Sequence, residues 1–345
     1  MKASKIFFTI TLILVGITQI YSQNKNDTLF IATWNVENLF DSIDDIDKND
    51  KEFLASSEKE WTQVKIDQKI GNLAKVIRWM NNGKGPDLLG VQEVEHQYLI
   101  DTLLQRHFRD KNYKIAYQES LDNRGIDNGL IYDASKFEVL NIKPIEVELP
   151  SKYPTRYILE IKLKTNSEDE IYVLVNHWPS RGGGELKSQP NRIKTANVLR
   201  NEIDLLIGNN KNSNIVIMGD FNDVPNSLSI ARYLWANEFD CSSKIDTMRL
   251  YNLAYKEFLS GNGTYLYRST WNMLDQIIVS NELVSDGNIK YVCDSFHLIK
   301  PEFMIQKEGR YKGSAMPTFG GRKYLGGFSD HIPVGAKFLQ KNNTN

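Results

Sequence analysis

Residues 215–223 read Ile-Val-Ile-Met-Gly-Asp-Phe-Asn-Asp, and no other stretch constrains the fold as tightly. Four apolar residues, mostly β-branched, suit a strand buried on both faces. The strand then gives way to a glycine, a carboxylate, an aromatic ring and an amide. Ending on Asp-x-Asn presents an acid and an amide at the rim of a sheet, where α/β proteins hold ligands. The same residues also suit a strand closed by an Asx turn, so the rest of the chain has to decide.

The pattern recurs. A strand at 28–34 runs into Asn35. A short strand at 87–91 ends in Gln92-Glu93. Another at 171–175 opens into Asn176-His177-Trp178-Pro179-Ser180-Arg181 and three glycines. Asp275 stands just before the strand Gln276 to Val279, and Asp330-His331 precedes a last strand ending near Phe338. Helices fall between them. Ile66, Ile70, Leu73, Val76, Ile77 and Met80 are spaced for an amphipathic helix over 61–81, stopped by Gly83-Lys84-Gly85-Pro86. Further helices are expected at 98–108, around Ile193 to Leu206, and at 225–237. Strands are expected at 113–118, 129–132, 137–142 and 157–164, the last alternating as if one face were wet. Residues 300–327 are polar and glycine-bearing and read as a surface excursion. No internal repeat or dividing linker is evident, so we expect one α/β domain over 23–340 and a polar tail at 341–345.

With 345 residues, 41% of them hydrophobic, the chain can bury a large core. Its net charge of −1 creates no global basic field, although a nuclease that relies on local cations and metal remains open. Lys2 and Lys5, the apolar run 7–20 and the small residues near Ser22 read as an export signal over 1–22. Its removal takes away two lysines and no acid, so −1 becomes −3. The expected destination is the periplasm or the outside of the cell, as a monomer without stable membrane insertion. Cys241 and Cys293 are the two cysteines. They could pair in an exported protein or lie as separate buried thiols.

Asn35, Glu93, Asn176 with His177, Asp220 with Asn222, Asp275, and Asp330 with His331 thus stand at strand ends or in adjoining loops. Carboxylates and amide oxygens are hard ligands that suit Mg²⁺, Mn²⁺ or Ca²⁺. Magnesium commonly completes its shell on a phosphate oxygen, which points to phosphoryl chemistry. The chain has neither a P-loop nor a Gly-x-Ser-x-Gly elbow. The acidic run Asp41 to Asp50 departs from a calcium-loop pattern, with Asp50 where glycine is required, and reads as a solvated surface loop.

The segments TWNVENLF, QEVE, NHWPSR, GDFND, WNMLDQIIVS and SDHIPV resemble, in order, those of the endonuclease/exonuclease/phosphatase superfamily, which includes DNase I-like nucleases. Further segments, among them RGIDNGLIY, PTRYILE and GTYLYRSTWNMLDQ, look like its exported bacterial branch. This resemblance implies a four-layer α/β/β/α sandwich of two packed mixed sheets flanked by helices. It implies metal ligation by Glu93, Asn35 and Asp330, with Mg²⁺ expected and Mn²⁺ or Ca²⁺ as alternatives. Asp220 is similar to the acid that orients or deprotonates the attacking water, and Asn222 to the amide on the phosphoryl oxygen. His331 is similar to the histidine against the phosphate, oriented by Asp275, and His177 to a second phosphate-binding histidine.

Asn176, Arg181, Arg156, Arg124 and Arg268 accompany these motifs as candidate substrate contacts, although the arginines equally suit pairing with nearby acids. Trp178, Trp271, Tyr265 and Tyr267 are read as packing residues, and His96, His107 and His297 as structural or surface groups. The expected activity is metal-dependent hydrolysis of nucleic-acid phosphodiesters by in-line attack of water. A phosphatase or phospholipase acting on inositol phosphate or sphingomyelin is the alternative.

Overall fold

The computed structural model describes residues 27–242, 246 and 249–341. The expected export signal therefore lies outside the described residues, as does most of the polar tail.

Two mixed sheets pack face to face. The first runs in the order β14 (Ile289–Tyr291), β18 (Val334–Gln340), β1 (Asp27–Leu39), β2 (Leu88–Val94), β4 (Asp127–Asp133) and β3 (Tyr113–Tyr117), with β15 (His297–Leu298) also paired to β18. The second runs β5 (Phe137–Ile145), β6 (Ile158–Thr165), β7 (Glu170–His177), β8 (Asn214–Asp220), β13 (Asp275–Ser280), β10 (Leu250–Asn252) and β9 (Ala236–Glu238). Helices α1 (Gln63–Trp79) and α2 (Gln97–His107) cover the first sheet, and α3 (Glu185–Asn209) covers the second. The expected four-layer sandwich is the observed one.

Strand alternation sorts the side chains into three cores. On β1, Phe30, Ala32, Trp34 and Val36 face α1 and α2, whereas Leu29 and Ile31 face the second sheet. On β8, Ile215 and Ile217 pack toward α3, whereas Val216 and Met218 face the first sheet. The strands on which the site is built are therefore buried on both faces, which is why they read as continuous apolar runs.

Three expectations are corrected. The helix expected at 225–237 shortens to one wide turn, Leu228–Tyr233, before the chain enters β9. The outer face of β6 is wet only at its far end: Lys162 and Lys164 are half-buried, but Glu160 is buried. Burial, with Glu202 of α3 nearby, pushes its carboxyl up to about 7. Residues 300–327 are a surface excursion only in part. Met304 and Ala315 join the core beside α1, with Phe303, Ile305, Met316, Phe319 and Tyr324 packed against it. This segment includes the hairpin β16 (Phe319–Gly320) and β17 (Lys323–Tyr324). Polarity of the linear sequence concealed an apolar residue every few positions.

Candidate active site

The same alternation aims the site. Asp220 has the parity of Val216 and Met218, His177 that of Val173 and Val175, Asp275 that of Ile277 and Val279, and Asn35 that of Leu29 and Ile31; each of these partners faces the space between the sheets. Register then sets them side by side. His177 pairs with Asp220 across the parallel β7–β8 ladder, and Asp275 pairs with Asp220 across the antiparallel β8–β13 ladder. Gly219 makes this close approach possible: its φ is +136°, and a Cβ there would sit 1.9 Å from the carbonyl oxygen of Asn176.

Asp220 Oδ2 is the hub. Asn35 Nδ2 reaches across from the first sheet and donates to it at 3.1 Å. His177 Nε2 lies 3.6 Å from the same oxygen and His331 Nε2 3.9 Å. The other oxygen, Oδ1, accepts the backbone N–H of Asn222 at 2.8 Å. Asn222 takes a left-handed φ of +50°, and its Nδ2 donates to the carbonyl of Trp178 at 3.0 Å.

Glu93 arrives by a different device. It would share the parity of Leu89 and Val91, which face the helices. A bulge between Gln92 and Val94 inserts it as an extra residue with φ +65°, and a bulge re-aims a side chain. Its carboxylate then accepts Asn38 N at 2.9 Å and Asn35 Nδ2 at 3.3 Å, with His177 Nε2 3.7 Å away. His331 is placed from the backbone outward. Ser329 Oγ donates to the carbonyl of Asn35 at 2.7 Å and accepts His331 N at 3.0 Å, while Trp34 Nε1 donates to the carbonyl of His331 at 3.1 Å.

The two histidines carry opposite charge preferences. His331 Nδ1 is 2.7 Å from Asp275 Oδ2. Burial opposes its charge, but Asp275 and Asp220 outweigh that and hold its pKa well above the ordinary value, so it is an imidazolium. His177 is driven well below the ordinary value by burial and by Arg156 and Arg124, so it is neutral. Burial raises Asp220 to about 6, against the opposing pull of His331. Asp330 rises to about 7 through burial and the nearby Glu37, with His331 acting in the opposite sense.

Glu37 and Lys69 were not singled out from the sequence. Glu37 is buried, accepts Thr318 N at 2.6 Å, and lies 3.7 Å from the fully buried Lys69 Nζ. Lys69 Nζ also donates to Thr318 Oγ1 at 2.6 Å and to the Phe328 carbonyl at 2.7 Å. A signal existed: Lys69 sits on the apolar stripe of α1, beside Ile66, Ile70 and Leu73, where a lysine needs a buried partner. Tyr265 was read as packing. Its ring lies tilted against that of His331, with centroids 4.8 Å apart, and the two residues form an isolated bridge. Trp178 is core, packed edge-on to Phe221.

The other sequence-derived candidates are distributed differently. Asn176 points away from the pocket, as its parity requires, and bonds Trp178 Nε1 and the Leu174 carbonyl. Arg156 is buried between Asp122 Oδ2 at 3.1 Å and the Trp178 carbonyl at 2.7 Å. Arg124 sits beside the same aspartate at 3.6 Å. Arg181 links the Asn222 carbonyl, Asn272 and Asp223. Arg268 lies between β11 (Tyr265–Tyr267) and β12 (Thr270–Asn272), with its guanidinium over the ring of Tyr267.

Glu37 and Glu93 both act on Asp330 through their charges, Glu93 accepts Asn35 Nδ2 and Asn35 Oδ1 accepts Glu37 N at 3.0 Å, so three carboxylates and one amide neighbour one another here. Ionised together they carry more negative charge than Lys69 offsets, which is the environment a hard divalent cation relieves. Carboxylate and amide oxygens of this kind suit a hard divalent cation.

The profile of the Endonuclease/Exonuclease/phosphatase family matches residues 30–341. The chain belongs to this family. Its members are phosphoric-ester hydrolases, and we take this chain as a phosphoesterase of that superfamily. No curated protein sequence matches the chain. Among solved structures, an endonuclease/exonuclease/phosphatase family protein of Bacteroides thetaiotaomicron is similar at TM-score 0.55 and 16% identity, over 92% of this chain and 99% of that one. TDP2 of D. rerio, complexed with single-strand DNA product, matches at TM-score 0.55 and 15% identity, over 90% and 98%. A mannosyl-6-phosphatase of B. thetaiotaomicron matches at 0.53 and 16%, over 90% and 99%. At these identities the likeness shows the fold, not the substrate.

Proposed function

We propose that this family member is an exported, divalent-metal-dependent phosphodiesterase acting on nucleic acid. The observation that carries the reading is the position of Asp220 Oδ2, between the imidazolium of His331, the neutral ring of His177 and the amide of Asn35. A phosphodiester brings one negative charge and gains more in the transition state, so a fixed cation and oriented donors stabilise it where charge grows. His331, locked by Asp275, is that cation. Asp220, raised toward neutrality, is suited to take a proton from an attacking water. His177, being neutral, can donate its one N–H to a non-bridging oxygen without a change of protonation state. Glu93, Asp330 and Asn35, with Glu37 behind them, would hold the metal, which supplies Lewis-acid stabilisation when bound.

Two further features support the nucleic-acid and export parts. The hairpin β11–β12 begins on His331 through Tyr265 and extends to the exposed Tyr267 and Arg268. A ring and a guanidinium beyond the reacting centre suit a substrate longer than a phosphomonoester. Cys241 and Cys293 form a disulfide, with Cα atoms 6.1 Å apart, as expected in an oxidising compartment. Among the described residues, no helix is long and apolar enough to cross a membrane.

A substrate panel tests the reading. Purified protein with Mg²⁺, Mn²⁺ or EDTA is incubated with single-stranded DNA, plasmid, RNA, sphingomyelin, inositol phosphates and a sugar phosphate. We expect metal-dependent cleavage of nucleic acid. Turnover confined to the sugar phosphate, the inositol phosphates or the lipid would replace the nuclease reading with a phosphatase or phospholipase one.

A further inference from the structure

The acidic run after β1, read from sequence as a solvated loop, closes instead on the residues that follow β2. Asp50, Glu95 and Asp41 are buried, at 1%, 2% and 8% exposure. One ligand oxygen each from Asp45, Asp50 and Glu95 lies within 4.8 Å of the other two. An oxygen of Asp41, one of Glu95 and a ring nitrogen of His96 are gathered equally closely beside them.

The local donors satisfy only part of this cluster. Asp41 N donates to Glu95 Oε2 at 2.7 Å, Ile43 N to Asp41 Oδ1 at 2.6 Å, and Tyr98 Oη to Asp41 Oδ2. His96 Nε2 is 3.3 Å from Asp45 Oδ2, and its Nδ1 is 2.9 Å from Glu119. Lys48, the lysine of the loop, turns away and donates to the carbonyls of Ser120 and Asp122 at 3.2 and 2.8 Å. Asp50 is the telling residue. Its Oδ2 is held by Asp45 N at 2.8 Å, while its Oδ1 is buried with no hydrogen-bond partner. A buried carboxylate oxygen without a donor is costly unless something positive meets it. With Oδ2 held by Asp45 N, Oδ1 is the Asp50 atom free to take a ligand.

We infer that Asp45, Asp50 and Glu95 hold a structural calcium ion, with Asp41 and water completing its shell. Calcium takes six to eight oxygens in irregular arrangements, whereas magnesium demands a near-ideal octahedron and zinc favours nitrogen and sulfur. Carboxylates from a loop and a strand end, set by tertiary folding rather than by a twelve-residue repeat, suit the first of these. The site is separate from the catalytic one, which is built on Glu93, Asn35 and Asp220. It is nonetheless linked to it, because Asp41 and Glu95 follow Asn38 and Glu93 by three and two residues. A bound ion would tie the two strand ends together and hold the Glu93 bulge in place.

The test uses full-length Glu93→Gln protein, which weakens the catalytic metal site, stripped with EDTA and titrated with CaCl₂ by calorimetry and thermal melting. We expect one calcium bound and a raised Tm. Asp45→Asn, on a partly exposed side chain, and Asp50→Asn should each weaken calcium binding by about ten-fold or more, with unchanged far-ultraviolet circular dichroism. Absence of calcium binding at about 1 mM would overturn the inference. So would unaltered affinity in Asp45→Asn, or stabilisation by MgCl₂ equal to that by CaCl₂. Should Asp50→Asn fail to fold, Asp45→Asn decides alone.

Discussion

Asp275 Oδ2 lies 2.7 Å from His331 Nδ1, and this contact makes one of the two active-site histidines a cation. Asp275 is fully buried and its other oxygen has no hydrogen-bond partner, so the imidazolium is its principal compensation. Replacing Asp275 with Asn keeps the shape and removes the charge. We expect kcat to fall by about 10²–10⁴-fold. Imidazole titration by nuclear magnetic resonance in the metal-free protein should show His331 deprotonating at lower pH. An unchanged titration would show that Asp275 does not set the charge.

His177 makes the opposite prediction for stability. Its folded pKa is depressed far below that of the unfolded chain, so below about pH 6.5 the unfolded state binds a proton that the folded state refuses. Stability contributed by this residue is present above that pH and is lost as pH falls toward the folded value. His177→Gln should therefore flatten the acid limb of a urea-midpoint-against-pH curve measured without metal.

Lys69 and Glu37 form a buried pair that also neighbours Asp330. Removing the lysine alone leaves a buried carboxylate uncompensated. Lys69→Met should cost about 3–5 kcal/mol in chemical denaturation. Adding Glu37→Gln to that variant should restore part of the loss, and a purely additive double mutant would argue that the two do not interact.

Gly219 admits no side chain, because a Cβ would overlap the carbonyl of Asn176 at a positive φ. Gly219→Ala should cost about 3 kcal/mol or more, since the clash is with backbone and cannot be relieved by a rotamer change. Any folded protein should lose activity too, because β7 and β8 would separate at the His177–Asp220 pair. Equilibrium unfolding and a cleavage assay check both parts.

Much of the fold was legible because its strands are apolar runs that stop at polar residues, as 215–220 does. Parity also made His177, Asp220 and Asp275 readable as a set once their strands were paired. What the linear sequence could not show was tertiary. The Glu93 bulge breaks parity, and nothing in Gln92-Glu93-Val94 announces a left-handed residue. Glu160 looked solvated because α3, which covers it, lies elsewhere in the chain. The acidic run 41–50 fails a linear calcium pattern because Glu95 joins it from another strand. The charges of the two histidines depend on which neighbours burial brings, an acid for His331 and arginines for His177.

In the proposed function, Asp220 anchors a metal-dependent phosphodiesterase site. The most direct measurement is the single-turnover rate of cleavage of an end-labelled single-stranded DNA with Mg²⁺, for the wild-type protein and for Asp220→Asn. We predict metal-dependent cleavage by the wild type and a loss of about 10²–10⁴-fold in the variant, with the fold intact by circular dichroism. Cleavage by Asp220→Asn at the wild-type rate would show that Asp220 is not that anchor, and wild-type cleavage undiminished by EDTA would show that the reaction needs no metal.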